Sequence, residues 1–230
     1  MVLVLGHRGA SAVAPENTVE AFGEALRLGG DGVELDVRRS ADGFLVVHHD
    51  FGIEGLGVIA SLCRAELPES VPDLPVVLDQ CLGSIVNIEL KDLPGEPGHD
   101  LAESLAHGVA ALLANRRARG VEDRVIVSSF ALAAIDAFRA TAPGVRTGWL
   151  TGGNLELGRA ISTAAERGHD AVHPFHLTVN PDLVATAHDR GLAVHTWTVD
   201  DADRIAELAA WGVDAIITND VAVALRALGR

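Results

Sequence analysis

The 230-residue chain is long enough for one large domain, and a hydrophobic content of 48% with a mean hydropathy of +0.25 indicates a sizeable core. The formal net charge is −14, from 18 basic and 32 acidic residues, and the basic residues form no stripe beyond Arg116, Arg117 and Arg119. A nucleic-acid partner is therefore not expected, because such proteins neutralise phosphates with clustered Lys and Arg.

Targeting signals and cysteine usage point to a reducing compartment. Residues 1–10 have no positively charged leader and an apolar run too short for a signal peptide. The sequence contains no apolar run near the roughly 18 residues of a membrane span, so stable membrane insertion is not expected. Cys63 and Cys81 form neither a metal-ligand spacing nor a disulfide framework. We therefore expect a cytoplasmic protein.

The first structural unit consists of a strand, a polar loop and a helix. Residues 2–5 form an apolar run typical of a buried parallel strand, and His7 and Arg8 follow it. Asn17, with Glu20 three residues later, is typical of a helix N-cap, and the helix is expected to stop at residues 29–30, two glycines. This places His7 and Arg8 just beyond the carboxyl end of the strand.

The second strand is predicted over residues 32–37 and continues into a hairpin. Glu34 and Asp36 are two apart and therefore share one face of this strand. The dipeptide at residues 42–43, Asp-Gly, favours a two-residue type I′ loop, which would pair Ala41 with Phe44. In that register Asp36 lies opposite His49, so two carboxylates and a histidine converge.

The rest of the chain continues to alternate between strands and helices after a less regular segment at residues 51–74. We predict strands at 85–90, 124–128, 147–150, 171–174, 193–199 and 215–218. We predict helices at 100–117, 131–140, 155–167, 181–190, 203–211 and 221–228. Eight buried strands favour an α/β fold of the (β/α)₈ TIM-barrel type in one domain, residues 1–230, with a hairpin and a short excursion after the second strand.

Active sites of such barrels lie at the carboxyl ends of the strands. His7 and Arg8 follow the first predicted strand, and Glu89 and Lys91 share a face at the end of the third. With Glu34 and Asp36, Glu89 completes a set of carboxylate oxygens suited to a hard divalent cation. Histidines beside such a cation are candidates for general acid and base.

Eight short motifs occur in order along the chain: HRGAS, APENT, GVELDV, DGFLVVHHD, NIELK, VIVSSF, WTVD and GVDAIIT. Together they resemble the glycerophosphodiester phosphodiesterases over essentially the whole sequence. The resemblance implies a distorted barrel that hydrolyses small glycerophosphodiesters to glycerol 3-phosphate and an alcohol, in lipid and glycerol metabolism. It also implies one divalent cation, Ca²⁺ or Mg²⁺.

The family pattern assigns roles to named residues: Glu34, Asp36 and Glu89 to the metal, His7 and His49 to acid–base catalysis, and Arg8 and Lys91 to the phosphate. Trp197, at the end of the seventh strand, is expected either to pack against the glycerol or alcohol group or to fill the core. His49 is preferred over His48 because it directly precedes the aspartate of the motif, as in the family, and because the predicted register selects it. Which histidine is the acid and which the base stays open, and the nucleophile is either water or the adjacent glycerol hydroxyl.

Two departures from the family pattern concern specificity. Residues 51–55 replace the longer segment, often L-x-R-T-T, that follows the His-Asp pair, and the final Thr-Asp is here Thr218-Asn219. The shortened excursion suggests a more open pocket, so lysophospholipids or sugar phosphodiesters are alternative substrates. A non-catalytic barrel that binds a phosphorylated ligand and a metal-dependent sugar isomerase are the remaining alternatives.

Overall fold

The computed structural model describes residues 1–153 and 155–230. Within them lie eleven strands: β1 (Leu3–His7), β2 (Gly32–Arg39), β3 (Leu45–Val47), β4 (Gly52–Ile53), β5 (Gly57–Val58), β6 (Ile85–Leu90), β7 (Arg124–Ser129), β8 (Arg146–Thr151), β9 (Ala171–Pro174), β10 (Ala193–Thr196) and β11 (Ala215–Thr218). The same residues form eight α-helices: α1 (Val19–Arg27), α2 (Leu74–Gln80), α3 (Ser104–Ala118), α4 (Leu132–Thr141), α5 (Leu157–Glu166), α6 (Pro181–Asp189), α7 (Ala202–Ala210) and α8 (Val221–Ala227). None of these eight helices is long and apolar enough to cross a membrane.

Eight of the described strands close into a parallel barrel surrounded by helices, which confirms the predicted TIM-barrel fold. The barrel strands follow one another in chain order, and closure comes from β1, which pairs with β2 on one side and β11 on the other. β3 adds to β2 in antiparallel orientation outside the barrel. β4 and β5 form a separate two-stranded sheet in the excursion.

The barrel strands are buried on both faces, as expected when helices cover the outside and side chains fill the inside. All six residues of β6 are buried, and so are all residues of β2 before Arg39. Inside the barrel, Leu5, Ile85 and Ile217 pack together from strands that are not all neighbours. This apolar plug fills the interior of the barrel beneath the polar residues at the carboxyl ends of the strands.

The hairpin after β2 differs from the predicted register by one residue. Val37 pairs with Val47, so the predicted pairing of Ala41 with Phe44 and of Asp36 with His49 is wrong. The loop has three residues rather than two, and Gly43 takes the left-handed conformation with φ +91°. Ser40 favours this longer loop, because its hydroxyl accepts the backbone N–H of Phe44 at 2.9 Å.

The segment after the hairpin is more regular than the sequence suggests. It contains the β4–β5 sheet and two short 3₁₀ turns, Ile59–Ser61 and Arg64–Glu66, before helix α2. Helix α2 has a proline in its first turn, where the missing N–H costs nothing, and was not predicted. Ile59, Leu67 and Val71 pack with Val46 of β3 in a small separate core.

Helix α1 begins one residue later than the predicted cap implies. The N-cap is Thr18, whose hydroxyl accepts the backbone N–H of Ala21 at 3.2 Å, so the assignment of Asn17 as the cap is wrong. Asn17 lies outside the helix at φ +57°, a conformation that asparagine tolerates better than most residues. Its side chain is therefore available for another contact.

Candidate active site

Three carboxylates meet at the carboxyl ends of β2 and β6. Glu34 and Asp36 occupy one face of β2, and Glu89 is paired in register with Asp36 on the neighbouring strand. All three side chains are buried, and one oxygen from each lies within 4.8 Å of the others. The spacing of two along the strand and the parallel register therefore produce the predicted cluster.

The electrostatics of this cluster favour a bound cation. Burial raises the pKa of Glu34 and of Glu89 well above the usual range of a glutamate, and the charge of Asp36 raises both further. A cation between the carboxylates would restore their ionised forms. Because carboxylate oxygens are preferred ligands of hard divalent ions, these three side chains fit one such ion.

Two basic side chains already face the carboxylates. The Nζ atom of Lys91 lies 3.1 Å from Glu89 Oε1 and 3.8 Å from Asp36 Oδ1. The Nε atom of Arg8 lies 3.3 Å from Asp36 Oδ2, while its Nη1 donates to Glu16 at 2.9 Å. Positive charge is thus held beside the acidic cluster.

The sharp turn after β1 aims the backbone of Arg8 at the cluster. Arg8 has φ +55°, and its N–H donates to Glu34 Oε2 at 3.0 Å. The next residue, Gly9, has φ +88°, and a Cβ there would lie 2.5 Å from the backbone of Ala21. A glycine is therefore required at position 9, and the turn places Arg8 against the carboxylates through both backbone and side chain.

Asn17 contacts both the side chain and the backbone of Asp36. Its Nδ2 donates to Asp36 Oδ2 at 2.8 Å, and its Oδ1 accepts the backbone N–H of Asp36 at 3.3 Å. Both residues are almost fully buried. The pair fixes the orientation of the Asp36 carboxylate, a role that the sequence pattern did not reveal.

His7 is the last residue of β1, and its ring is hydrogen-bonded to the segment that follows β11. Its Nδ1 is 2.7 Å from Oδ1 of Asn219, which follows β11. Burial lowers the pKa of the imidazole below its ordinary value, so the neutral ring is favoured. Because Nδ1 is engaged, Nε2 is the ring nitrogen that is available to the cavity.

His49 enters the site from the chain just beyond β3. Its carbonyl accepts hydrogen bonds from Nε and Nη2 of Arg38 at 2.8 and 2.7 Å. The same guanidinium donates through Nη1 to the carbonyl of Lys91 at 3.0 Å. Burial lowers the pKa of His49, and its Nδ1 bonds to Asp50 at 2.8 Å. Arg38 thus ties His49 and Lys91 to one another.

A cavity of about 80 Å³ opens between these groups. Its polar side is lined by His7, Arg8, Glu34, His49, Asn87, Glu89 and Lys91, and its apolar side by Phe130, Leu150, Trp197 and Ile217. Asp36 lies directly behind, in contact with Arg8 and Lys91. The eight predicted site residues are therefore close together, whereas His48 is not among the described residues that line the cavity.

The indole ring of Trp197 lines the cavity, and its only polar atom, Nε1, forms a hydrogen bond outside the cavity lining. The indole Nε1 donates to the carbonyl of His173 at 2.7 Å. The ring meets Phe130 edge to face, with centroids 5.4 Å apart. Ser129, in contrast, donates its hydroxyl to the carbonyl of Leu90 and is buried away from the cavity.

Comparison with known proteins shows which family this chain belongs to. Residues 7–223 match the sequence model of the glycerophosphoryl diester phosphodiesterase family. The chain belongs to this family. A glycerophosphodiester phosphodiesterase from Caldanaerobacter subterraneus subsp. tengcongensis is 32% identical over 240 residues, which cover 95% of this chain and 94% of the relative. The chain is therefore an enzyme, a phosphoric diester hydrolase.

Solved structures of glycerophosphodiester phosphodiesterases share the fold. The enzyme from Thermotoga maritima superposes with a TM-score of 0.80 at 27% identity, covering 100% of this chain and 99% of that one. A phosphodiesterase from Oleispira antarctica, solved in complex with its product sn-glycerol-3-phosphate, has a TM-score of 0.87 at 22% identity and covers 99% and 97%. The second similarity concerns the fold alone.

Sequence reasoning missed three contacts within this phosphodiesterase site. Arg38 continues the row of inward-facing residues on β2 that begins with Glu34 and Asp36, so the period of two was a usable signal. Asn219 was expected at the carboxyl end of the eighth strand and was noted as a departure from the family, but its contact with His7 was not predicted, although closure of the barrel brings the ends of β1 and β11 together. The contact of Asn17 left no signal, because a cap explained that residue equally well.

Proposed function

We propose that this enzyme hydrolyses glycerophosphodiesters to glycerol 3-phosphate and an alcohol, with acid–base catalysis by His7 and His49. One observation carries the proposal. In a chain of this family, one cavity is lined by two buried carboxylates, two basic side chains and two histidines, and the third carboxylate, Asp36, contacts both basic side chains. Each of these groups answers a need of phosphodiester hydrolysis, namely charge neutralisation, phosphate binding and proton transfer.

Glu34, Asp36 and Glu89 would hold one divalent cation, Ca²⁺ or Mg²⁺. Their all-oxygen donor set and the raised pKa values of the two glutamates support this assignment. When bound, such an ion supplies positive charge next to the phosphoryl oxygens. Asn17 donates a hydrogen bond to Asp36, and Lys91 forms an ion pair with Glu89, so both contacts help to orient these carboxylates.

Arg8 and Lys91 bind the phosphodiester anion. The protein carries a formal charge of −14, which repels an anionic substrate at long range. Both basic side chains lie within 4 Å of the acidic cluster, so they reverse the potential only locally. Arg8 offers a planar fork of donors for two phosphate oxygens, and Lys91 offers a compact charge.

The two histidines exchange protons with opposite sides of the phosphorus. The Nε2 atom of His7 takes a proton from the nucleophile as a new P–O bond forms, and His49 gives a proton to the alcohol oxygen as its P–O bond breaks. Burial lowers the pKa of His49, and the hydrogen bond to the Asp50 carboxylate partly offsets this effect. The net reaction adds one water to the diester.

The nucleophile is either water or the neighbouring glycerol hydroxyl, which would first give a cyclic phosphate. ³¹P NMR recorded during turnover separates these routes, because only the second passes through a cyclic phosphodiester. Phe130, Leu150 and Trp197 form an apolar wall suited to the carbon atoms of a small glycerol group. The product complex of the Oleispira antarctica phosphodiesterase, which shares the fold, supports glycerol 3-phosphate as the product.

A cytoplasmic location is part of the proposal and is supported by the free thiols of Cys63 and Cys81.

The test measures release of glycerol 3-phosphate from glycerophosphocholine and glycerophosphoethanolamine, with and without EDTA. We expect chelation to abolish turnover and His7→Asn and His49→Asn each to lower kcat by about 10²- to 10⁴-fold. His48→Asn is the matched control, since it makes the same change one residue away, and it should keep kcat near the wild-type value.

Other outcomes redirect the proposal. Full activity in His49→Asn with loss in His48→Asn would show that the wrong histidine was chosen. Turnover of lysophospholipids or sugar phosphodiesters in place of both glycerophosphodiesters would keep the mechanism and replace the substrate. Activity that survives complete metal removal would refute the role given to the three carboxylates.

A further inference from the structure

We propose that Asn219 and Asp200 are positioning residues that hold His7 in a single tautomer, with Nδ1 protonated and Nε2 free to act in the cavity. Asp200 and Asn219 lie on the connections after β10 and β11, and neither of these two residues lines the cavity described above. It depends on the function proposed for His7 in the preceding section.

The orientation of the Asn219 amide follows from its neighbours. Its Nδ2 lies 2.7 Å from Asp200 Oδ2, and an ionised carboxylate can only accept a hydrogen bond. The amide nitrogen therefore points to Asp200, and the amide oxygen must point to His7 Nδ1, 2.7 Å away. The hydroxyl of Ser11 lies 2.8 Å from the same oxygen and 2.8 Å from the carbonyl oxygen of His7, so it can donate its single hydrogen to either of them.

This orientation determines the protonation of the His7 ring. An amide oxygen accepts and cannot donate, so His7 Nδ1 must carry a hydrogen to bond with it. In the neutral ring the remaining nitrogen, Nε2, then has a free lone pair, as a general base requires. The opposite tautomer would place two acceptors 2.7 Å apart and is disfavoured.

Asp200 is itself held firmly. Its Oδ1 accepts the backbone N–H of Asn219 at 2.8 Å and the hydroxyl of Thr218 at 2.9 Å. The Asp200 carboxylate thus receives three hydrogen bonds from two consecutive residues. A negative charge is kept one side chain away from the imidazole, so the amide orients His7 without placing a full charge against it.

The arrangement makes a specific prediction about exchanged partners. Asn219→Asp alone would set two carboxylates against each other, and Asp200→Asn alone would remove the group that orients the amide. The double change, Asn219→Asp with Asp200→Asn, restores a donor between the two positions and an acceptor facing His7. We expect each single change to lower kcat by about 10- to 100-fold, with KM changed less, and the double variant to recover most of that loss.

The experiment combines kcat and KM for glycerol 3-phosphate release with ¹⁵N NMR of the histidine rings, which reports which nitrogen of His7 is protonated. Asn219→Ala and the exchange variants are compared with the wild type. Asp201→Asn is the matched control, because Asp201 caps helix α7 through the backbone N–H of Arg204 and asparagine caps equally well. It should leave kcat and the His7 spectrum unchanged.

The proposal is supported if Asn219→Ala loses both kcat and the single Nδ1–H tautomer while the exchanged pair regains both. It is overturned if either quantity stays at the wild-type value in Asn219→Ala, or if the exchanged pair is folded and recovers neither. Failure of the wild type to release glycerol 3-phosphate would instead refute the proposed function, and the NMR result would still report on the tautomer.

Discussion

The adjacent residues Asn17 and Thr18 have different roles: one contacts Asp36, and the other caps helix α1. The sequence pattern had assigned the cap to Asn17. The hydroxyl of Thr18 accepts a backbone N–H in the first turn of α1. Asn17 lies outside the helix at positive φ and forms hydrogen bonds with both the side chain and the backbone of Asp36. Groups that hold a metal ligand in place commonly tune metal affinity as strongly as a ligand does. The two side chains should therefore affect different measurements.

We expect Asn17→Gly to weaken binding of Ca²⁺ or Mg²⁺ by about 10- to 100-fold, because Asp36 loses its fixed partner. Glycine is chosen because it accepts the positive φ at this position. We expect Thr18→Ala to lower the free energy of unfolding by about 1 kcal/mol and to leave metal affinity unchanged. Isothermal titration calorimetry and urea denaturation measure the two quantities. The reverse pattern, with metal affinity lost in Thr18→Ala, would contradict the assignment.

At the scale of single residues, the sequence predicted the cluster of three carboxylates but not the residues that hold those carboxylates in place. Glu34, Asp36 and Glu89 were found because a period of two and the rule for barrel strand ends are both local. The role of Asn17 depends on a turn whose strained backbone, at Arg8 and Gly9, is set by contact with α1. Such a contact between distant residues has no local pattern.

The β2–β3 hairpin and the end of β6 are joined by one buried guanidinium. Arg38 bonds to the carbonyls of His49 and Lys91 and to the carboxylate of Glu96, which lies on the loop after β6. His49 lies beyond the last paired residue of β3, so the pairing of β2 with β3 does not by itself determine its position. Arg38 therefore determines how two separate elements approach the cavity.

Arg38→Gln should lower kcat by roughly 10-fold through misplacement of His49, and should lower the free energy of unfolding by about 1–3 kcal/mol because buried carbonyls lose their donors. Arg39→Gln is the matched control on the same strand. Arg39 is exposed, so this change should alter stability by no more than about 0.5 kcal/mol. Urea denaturation and steady-state kinetics test both. Equal effects of the two substitutions would remove Arg38 from this role.

The register of this hairpin could not be predicted from its sequence. An Asp-Gly pair suits a two-residue loop and also the end of a three-residue loop, and the two choices shift every pairing by one residue. Ser40 decides between them through its hydrogen bonds to Phe44 and Asp42. The convergence of His49 with the carboxylates was thus anticipated from an incorrect pairing.

Over the whole molecule, the barrel carries a polar layer inside it in addition to its apolar plug. The rings of His173 and His195, on β9 and β10, lie 4.7 Å apart. Both side chains are buried, and Nδ1 and Nε2 of His173 and Nδ1 of His195 have no hydrogen-bond partner among the described residues. Gly148 on β8 leaves the necessary space, since a Cβ there would lie 2.4 Å from His173 Nε2.

Burial of His195 makes stability depend on pH. Burial lowers its folded-state pKa from 6.5 to about 4, so between these values the unfolded chain binds more protons than the folded one. The contribution is complete above pH 6.5 and is lost as pH falls towards 4, by up to about 3 kcal/mol. His195→Gln should flatten the fall in unfolding free energy, measured by urea denaturation between pH 7.5 and 4.5. An unchanged slope in His195→Gln would contradict the argument.

At this largest scale the sequence was most informative. The eight barrel strands were predicted because alternating apolar runs and amphipathic helices in a chain of this length leave few other architectures. Helix α2 was missed because it is only seven residues long, although its buried residues Leu74, Val77 and Leu78 follow helical spacing. The polar layer was also missed, since the histidines gain their meaning only once the strands are arranged in a closed barrel.

The hydrogen bond between His7 and Asn219 joins residues 212 positions apart in the chain. During synthesis at about 5–20 residues per second, Asn219 is added some 10–40 seconds after His7. A nascent chain stopped after β10 would already contain every group proposed to bind the metal, the phosphate and the protons, yet it would lack the strand that closes the barrel. Prematurely terminated translation products should therefore be unable to attack cellular phosphodiesters, so that activity marks a completed polypeptide.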